Sequence, residues 1–320
     1  MKINKRTLLG AMLASAAWMT AAPVMAQSGP VIASIVYSGD QFMKGLQQGI
    51  RERAEQGGAT VLEININEDQ AREAEAIDTY IARGVDAIVI APLSATGSAL
   101  ALRRARDAGI VVIALNGGLE DTSIAAATFS TANTDLGKAS GEAAADLIQM
   151  RLGGKANVGL LAFVSVLPEQ SNQRTGGFIE AAGQGNALTI VSQQDAWLPE
   201  KAIAVASDMM TAHPDINVIF AANEGGTIGA MQAVRNAGRA GEVFVYGIDG
   251  SLQLARGLLA ADDVLQAVTA QSPVEMGRLG AQAALDALGG GTVALHTVVP
   301  ALPLNRDDRA GVEAYAASLR

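Results

Sequence analysis

The sequence predicts an α/β fold of two similar halves, each a parallel sheet covered by helices on both faces. Three observations carry that prediction. Strand-like and helix-like stretches alternate along the chain with short connections. The alternation restarts after about residue 131, so the pattern is laid down twice. The runs Ile110–Leu115 and Val218–Ala222 are almost continuously apolar, as strands buried on both faces are. A length of 320 residues agrees with about two domains.

The first half reads element by element. Val31–Tyr37 is a buried strand bounded by Ser38-Gly39. Met43, Leu46, Ile50 and Ala54 share one helical face, and Gly57-Gly58 ends that helix. From Val61 to Asn67, apolar Leu62, Ile64 and Ile66 alternate with polar Glu63, Asn65 and Asn67, the period of a strand. Asn67 and Gln70 have the spacing of a capping box, and Ala74, Ile77 and Ile81 carry a helical stripe to Gly84. Asp86–Ala91 is the next strand. A helix from about Thr96 to Ala108 leads through Gly109 into the strand Ile110–Leu115.

In the second half, helices at 135–151, 171–182, 226–237, 251–260 and 274–288 alternate with strands at 157–164, 187–193, 217–222, 243–248 and 265–270. Pro199 opens a further helix that stops near His213-Pro214. Ligands of open parallel sheets lie beyond the carboxyl ends of the strands. The segments that follow strands are therefore the candidate site: Ser38–Phe42, Pro92–Ser94, Asn116-Gly117, Val166–Arg174, Ala196-Trp197, Asn223-Glu224, Asp249 and Gln271. They are polar and rich in acids and amides.

Composition narrows the function classes. Hydrophobic residues at 49% and charged residues at 17% belong to a chain that buries large cores, not to a disordered one. Cysteine is absent, which removes disulfides, thiolate metal sites and cysteine nucleophiles, and two histidines (His213 and His296) leave no basis for a multi-histidine metal site. No cofactor and no metal are expected. A formal charge of −9 argues against nucleic acid as a partner. At the N-terminus, Lys2, Lys5 and Arg6 precede an apolar run from Thr7 to Thr20, and Pro23 and Ala26 follow. That is the pattern of a secretory signal peptide removed after Ala26; the run is shorter than the ~20 residues of a membrane span. Removal takes three cations and no acid, leaving a 294-residue chain of charge −12.

Several segments, taken in order, resemble the periplasmic sugar-binding proteins of the ribose-binding type, the soluble receptors of ABC importers. They are Arg174-Thr175-Gly176-Gly177-Phe178, Thr211-Ala212-His213-Pro214-Asp215, Val218 to Glu224, Gly247-Ile248-Asp249-Gly250 and Ala267 to Gln271. The resemblance spans about residues 30–300. It implies two Rossmann-like lobes with parallel sheets joined by a three-segment hinge, the periplasmic binding protein type I architecture. Crossings are expected near Phe129–Ala132, Ala270–Ser272 and Val299–Leu302. One lobe is then 27–131 plus 271–299, and the other 132–270 plus 300–320.

The resemblance also implies a site. Asp249 matches the family's ligand-binding aspartate, and a carboxylate can accept two adjacent hydroxyl protons. Asp249 also reads as a helix N-cap. Asp40 sits in the first strand–helix loop, as a ligand group or a solvated acid. Arg174 offers planar donors to hydroxyls and a ring oxygen. Asn223 and Gln271 both donate and accept, which suits hydroxyls, though they read equally as a helix cap and a hinge residue. Phe42 and Trp197 offer apolar faces to the CH groups of a sugar ring. Asn116 is followed by Gly117 where many ribose-type proteins have Asp-Arg, so one edge of the pocket has fewer donors. The implied ligand is a small neutral monosaccharide or polyol, pentose-like, captured by hinge closure and passed to a membrane permease. The chain is expected to act as a periplasmic monomer. An alternative is a sensor of a sugar or furanosyl signalling molecule that feeds a chemoreceptor or histidine kinase.

Catalysis is not expected. No Gly-x4-Gly-Lys-Ser/Thr loop, no Gly-x-Ser-x-Gly elbow and no Gly-x-Gly-x-x-Gly helix start occurs. A sugar-responsive transcription regulator shares the core fold but needs an N-terminal helix-turn-helix, where this chain has its apolar leader.

Overall fold

The computed structural model describes residues 29–319. The expected signal segment and its cleavage position lie outside the described residues.

The first run of elements is β1 (Val31–Val36), α1 (Gln41–Gln56), β2 (Thr60–Asn65), α2 (Gln70–Arg83), β3 (Ala87–Ile90), α3 (Ala99–Asp107), β4 (Val111–Leu115) and β5 (Ala127–Ser130). The second is α4 (Asn133–Arg151), β6 (Lys155–Ala162), α5 (Pro168–Ala182), β7 (Ala187–Asp195), α6 (Pro199–Ala212), β8 (Val218–Ala221), α7 (Glu224–Asn236), β9 (Phe244–Ile248), α8 (Leu252–Leu259) and β10 (Leu265–Ala270). The chain ends with α9 (Pro273–Leu288), β11 (His296–Val298), β12 (Leu302–Asn305) and α10 (Arg309–Ser318).

Two six-stranded sheets result, ordered β2-β1-β3-β4-β5-β11 and β7-β6-β8-β9-β10-β12. All neighbours pair in parallel except β12, which runs antiparallel to β10. The strand order reverses between β1 and β3 in one sheet and between β6 and β8 in the other. Those are the positions where an open α/β sheet leaves a crevice. The chain passes between the sheets at three places: from β5 to α4, from β10 to α9 and from β11 to β12.

Local chemistry explains the elements. The Asp40 side chain caps α1 and turns Met43, Leu46, Ile50 and Ala54 onto the sheet. The central strands β3 and β8 are buried throughout, which accounts for their unbroken apolar sequence. Helices α4 and α5 meet at bare backbone: a Cβ on Gly137 would strike the Arg174 carbonyl oxygen, and one on Gly177 the Thr134 carbonyl oxygen. This close approach sets Arg174 beside the start of α4.

Several expectations need correction. The cap of α2 is Asp69, whose carboxylate accepts from the Ala71 and Arg72 N–H groups; Asn67 instead takes a left-handed turn at φ 53°. Helix α3 starts at Ala99 rather than Thr96, because the Ser94 and Ser98 hydroxyls hold the preceding turn together through the Gly97 and Ser94 N–H groups. β5, β11, β12 and α10 had no expected counterpart. The three strands are only three or four residues long, too short to show a period, and Pro303 lies within the edge strand β12, where a missing N–H is tolerated.

Candidate ligand-binding cleft

A cleft of about 790 Å³ opens between the carboxyl ends of the two sheets. That volume lies within the ~300–1,000 Å³ of small-molecule sites. Asp40, Phe42, Asn116, Arg174, Trp197, Asn223, Asp249 and Gln271 all line it. Pro92–Ser94, also at a strand end, do not.

One wall comes from the loops after β1 and β4. The Asp40 carboxylate accepts from the Met43 N–H at 2.8 Å and from the Ser38 hydroxyl at 2.6 Å, so the residue is a helix cap as well as a cleft acid. Asn116 is buried and takes a left-handed backbone at φ 62°, a conformation that asparagine tolerates better than most residues. Its side-chain N–H donates to the Tyr37 hydroxyl at 3.3 Å. Burial, then the charge of Asp40, pushes the Tyr37 phenol far above its ordinary value, so it stays protonated. Phe42 packs partly against the adjacent core and shows its remaining surface to the cleft.

The other wall comes from the loops after β6, β7, β8 and β9. Asp195 at the end of β7 accepts from the Val164 and Ser165 N–H groups at 2.8 and 2.6 Å and so fixes the loop that leads into α5. Arg174, buried on α5, donates through Nε to Asn133 Oδ1 at 2.8 Å and through Nη1 to the Ala222 carbonyl at 2.9 Å. Its guanidinium carbon lies 5.3 Å from the Phe163 ring centroid. The Asn223 side chain caps α7 by accepting from the Gly226 N–H and donates to the Trp197 carbonyl at 2.9 Å. It therefore orients the turn that presents Trp197.

Asp249 and Gln271 form the floor. Asp249 does not cap α8; Ser251 does. Asp249 instead takes a left-handed backbone at φ 75° and accepts from the Glu224 N–H at 2.9 Å and from the Gln271 side-chain N–H at 2.6 Å. Burial raises the Asp249 carboxyl above its ordinary value, and Arg174 opposes that rise. Burial in turn lowers the Arg174 guanidinium, and Asp249 opposes it. The Gln271 side-chain carbonyl is buried and has no hydrogen-bond partner. An orphaned acceptor of this kind, at the edge of a cleft, is a place where an incoming hydroxyl would be held.

Sequence reasoning missed one member of the site and gave no role to another. Tyr37 ends an apolar strand, and nothing in the pattern separates it from the core. Glu224, the first residue of α7, lines the cleft, and its carboxyl is pushed up to about 7, first by burial and then by Asp249 and Asp40. Its strand-end position places it in the candidate set with Asn223, but only Asn223 has an expected ligand role.

Residues 31–292 match the family model described as a periplasmic binding protein domain. The chain belongs to the periplasmic binding protein family. Family members are periplasmic, and among the described residues no helix is long and apolar enough to cross a membrane. An ABC transporter periplasmic-binding protein of Escherichia coli, YphF, is 31% identical over 284 residues, covering 87% of this chain and 85% of the relative. A D-ribose/D-allose-binding protein of Pseudomonas aeruginosa is 29% identical over 301 residues, covering 91% and 93%. A solved ABC-transporter solute-binding protein of Actinobacillus succinogenes with bound D-allose superposes with a TM-score of 0.80 at 26% identity, over 88% of this chain and 100% of that one. These relatives are solute-binding proteins, and this periplasmic binding protein has their two-sheet α/β architecture.

Proposed function

We propose that this periplasmic binding protein captures a small neutral sugar or polyol, pentose-like in size, between two lobes and delivers it to the membrane permease of an ABC importer. The lobes are residues 27–131 plus 271–299 and residues 132–270 plus 300–320, and the signal segment is cleaved after Ala26. The carrying observation is convergence: seven side chains from six strand ends and Arg174 from α5 meet on one cleft, and the buried Gln271 carbonyl there lacks a donor. Carboxylates, amides and one arginine can bind the two sides of a hydroxyl array, and Phe42 and Trp197 can cover apolar ring faces. A ligand that touches both walls favours the closed clamp through contacts the open form lacks. The names of the relatives support the ligand class. The protein acts as a monomer.

A thermal-shift screen tests this reading, using D-ribose, D-allose, D-apiose, D-fucose, glycerol and myo-inositol. A true ligand at about 100 times its Kd adds about 2.7 kcal/mol to stability and raises the Tm. Silence across the whole panel overturns the reading.

A further inference from the structure

The cleft is rich in acceptors, and several of its donors are already engaged by the protein. Asp40, Glu224, Asp249 and the orphaned Gln271 carbonyl all offer oxygen. On the donor side, Asn223 gives one side-chain N–H to the Trp197 carbonyl, Gln271 gives one to Asp249, and Arg174 gives Nε and Nη1 to Asn133 and Ala222. A sugar hydroxyl brings one proton and two lone pairs, so a hydroxylated ligand needs donors from the protein as well. Where the family resemblance leads one to expect an arginine after residue 116, this chain has Gly117.

We propose that Glu224 is a further specificity-determining residue of this cleft, contacting the ligand as the neutral acid and donating its O–H to a ligand oxygen. The proposal rests on the sugar-capture reading above. The residue stands on the wall beside Asp249, which accepts from its backbone N–H at 2.9 Å. The groups that face it are the Asp249 carboxylate from the turn after β9, the Asp40 carboxylate at the start of α1, the Ser251 hydroxyl before α8 and the Tyr315 phenol on α10. Arg174 and Lys44 also line the cleft, but neither is among the groups that shift Glu224. With burial and two like charges acting on it, the proton is retained to about pH 7, and only the Ser251 hydroxyl and the α7 N-terminus favour the charged form. Lobe closure removes more water and strengthens the preference for the neutral acid. Capture therefore takes up a proton above neutral pH, and a ligand whose facing oxygen is an acceptor, such as a ring or hydroxyl oxygen, is selected over one that presents only a donor there.

The test is calorimetric titration of the whole protein with D-ribose, D-allose and myo-inositol at several values between about pH 5.5 and about pH 8.5. For whichever binds, affinity falls by up to about 30-fold across that range, with a net proton uptake at high pH visible as a dependence on buffer ionisation heat. Glu224→Gln keeps a donor at every pH, so its affinity stays flat. A flat wild-type profile overturns the proposal. So does a pH dependence that persists in Glu224→Gln, because another group is then the one that titrates. Glu224→Gln melting like the wild type at low pH shows that the variant folds. A screen in which no sugar binds is a different failure, that of the sugar-capture reading itself.

Discussion

The Gln271 side-chain nitrogen lies 2.6 Å from Asp249 Oδ1, joining the crossing that leaves β10 to the strand end of β9. The other Asp249 oxygen holds the N-terminus of α7 through the Glu224 N–H. One carboxylate therefore ties a hinge segment, a helix start and the cleft floor together, and a ligand that contacts it reports directly on the hinge.

Replacing Asp249 by Asn tests that arrangement. Asparagine keeps the size and tolerates the left-handed backbone at φ 75°, so the fold survives. Its amide, however, sets a donor against either the Glu224 N–H or the Gln271 N–H. The expected result is a sugar affinity weaker by about tenfold or more, or ~1.5–3 kcal/mol for a lost charge-assisted bond. Calorimetry showing the wild-type affinity removes Asp249 from the binding surface.

Arg174→Lys separates charge from geometry. Lysine retains the positive charge that opposes Asp249, but it cannot reproduce two planar donations to Asn133 Oδ1 and the Ala222 carbonyl. Both acceptors sit at the edges of buried segments, so stability drops by about 1–3 kcal/mol and sugar affinity falls with it. Chemical denaturation measures the first and titration the second. A variant as stable as the wild type shows that the guanidinium geometry is dispensable.

Glu224 also makes a prediction for the protein without sugar. Its folded pKa, about 7, lies above the ordinary carboxylate value of 4.5. The folded state therefore binds the proton more tightly than the unfolded state. The contribution of this group is fully present below the unfolded pKa and is lost as pH rises through about 7. Glu224→Gln escapes that loss. The Tm of the variant relative to wild type should climb between about pH 4.5 and about pH 8 and then level off. A difference that does not change with pH means that Glu224 is not held in its neutral form.

The sequence was most informative where burial is simple. Strands β3, β4 and β8 are buried on both faces, and their apolar runs could be read directly. Glycine stops such as Gly84, in the left-handed region at φ 65°, marked helix ends correctly. All eight site positions line the cleft because strand ends are where this topology exposes polar residues. Their detailed partners were not legible. Asp249 reads as a cap for the helix after it, yet it bonds the start of α7, twenty-five residues earlier in the chain, because β8 and β9 are neighbours in the sheet. Tyr37 looked like core because its ring is buried and only its hydroxyl faces polar groups. The capping box failed at Asn67 for a local reason: Asp69, two residues on, supplies a carboxylate at the better position.

The last prediction concerns what holds the lobes together without a ligand. The Gln170 side chain, on the first turn of α5, donates to the Asn116 carbonyl at 3.2 Å. Among the described side-chain hydrogen bonds it is the one that joins the two lobes away from the hinge. Leu167, just before that helix, packs against the cores of both sheets at the same edge. The contact packs beside Gly117, where an added Cβ would lie 3.2 Å from the Gln170 side-chain nitrogen. A ligand's apparent affinity scales with the population of the closed form, so a bond that joins the lobes assists capture. Gln170→Ala deletes it without touching the floor of the cleft. Small-angle scattering should then show a larger radius of gyration for the sugar-free protein, while the sugar-bound values of variant and wild type coincide. Affinity should fall by a few-fold, about 0.5–1.5 kcal/mol for one neutral hydrogen bond. If neither quantity moves, the Gln170–Asn116 bond does not bias the clamp, and closure is governed by the hinge segments and the ligand alone.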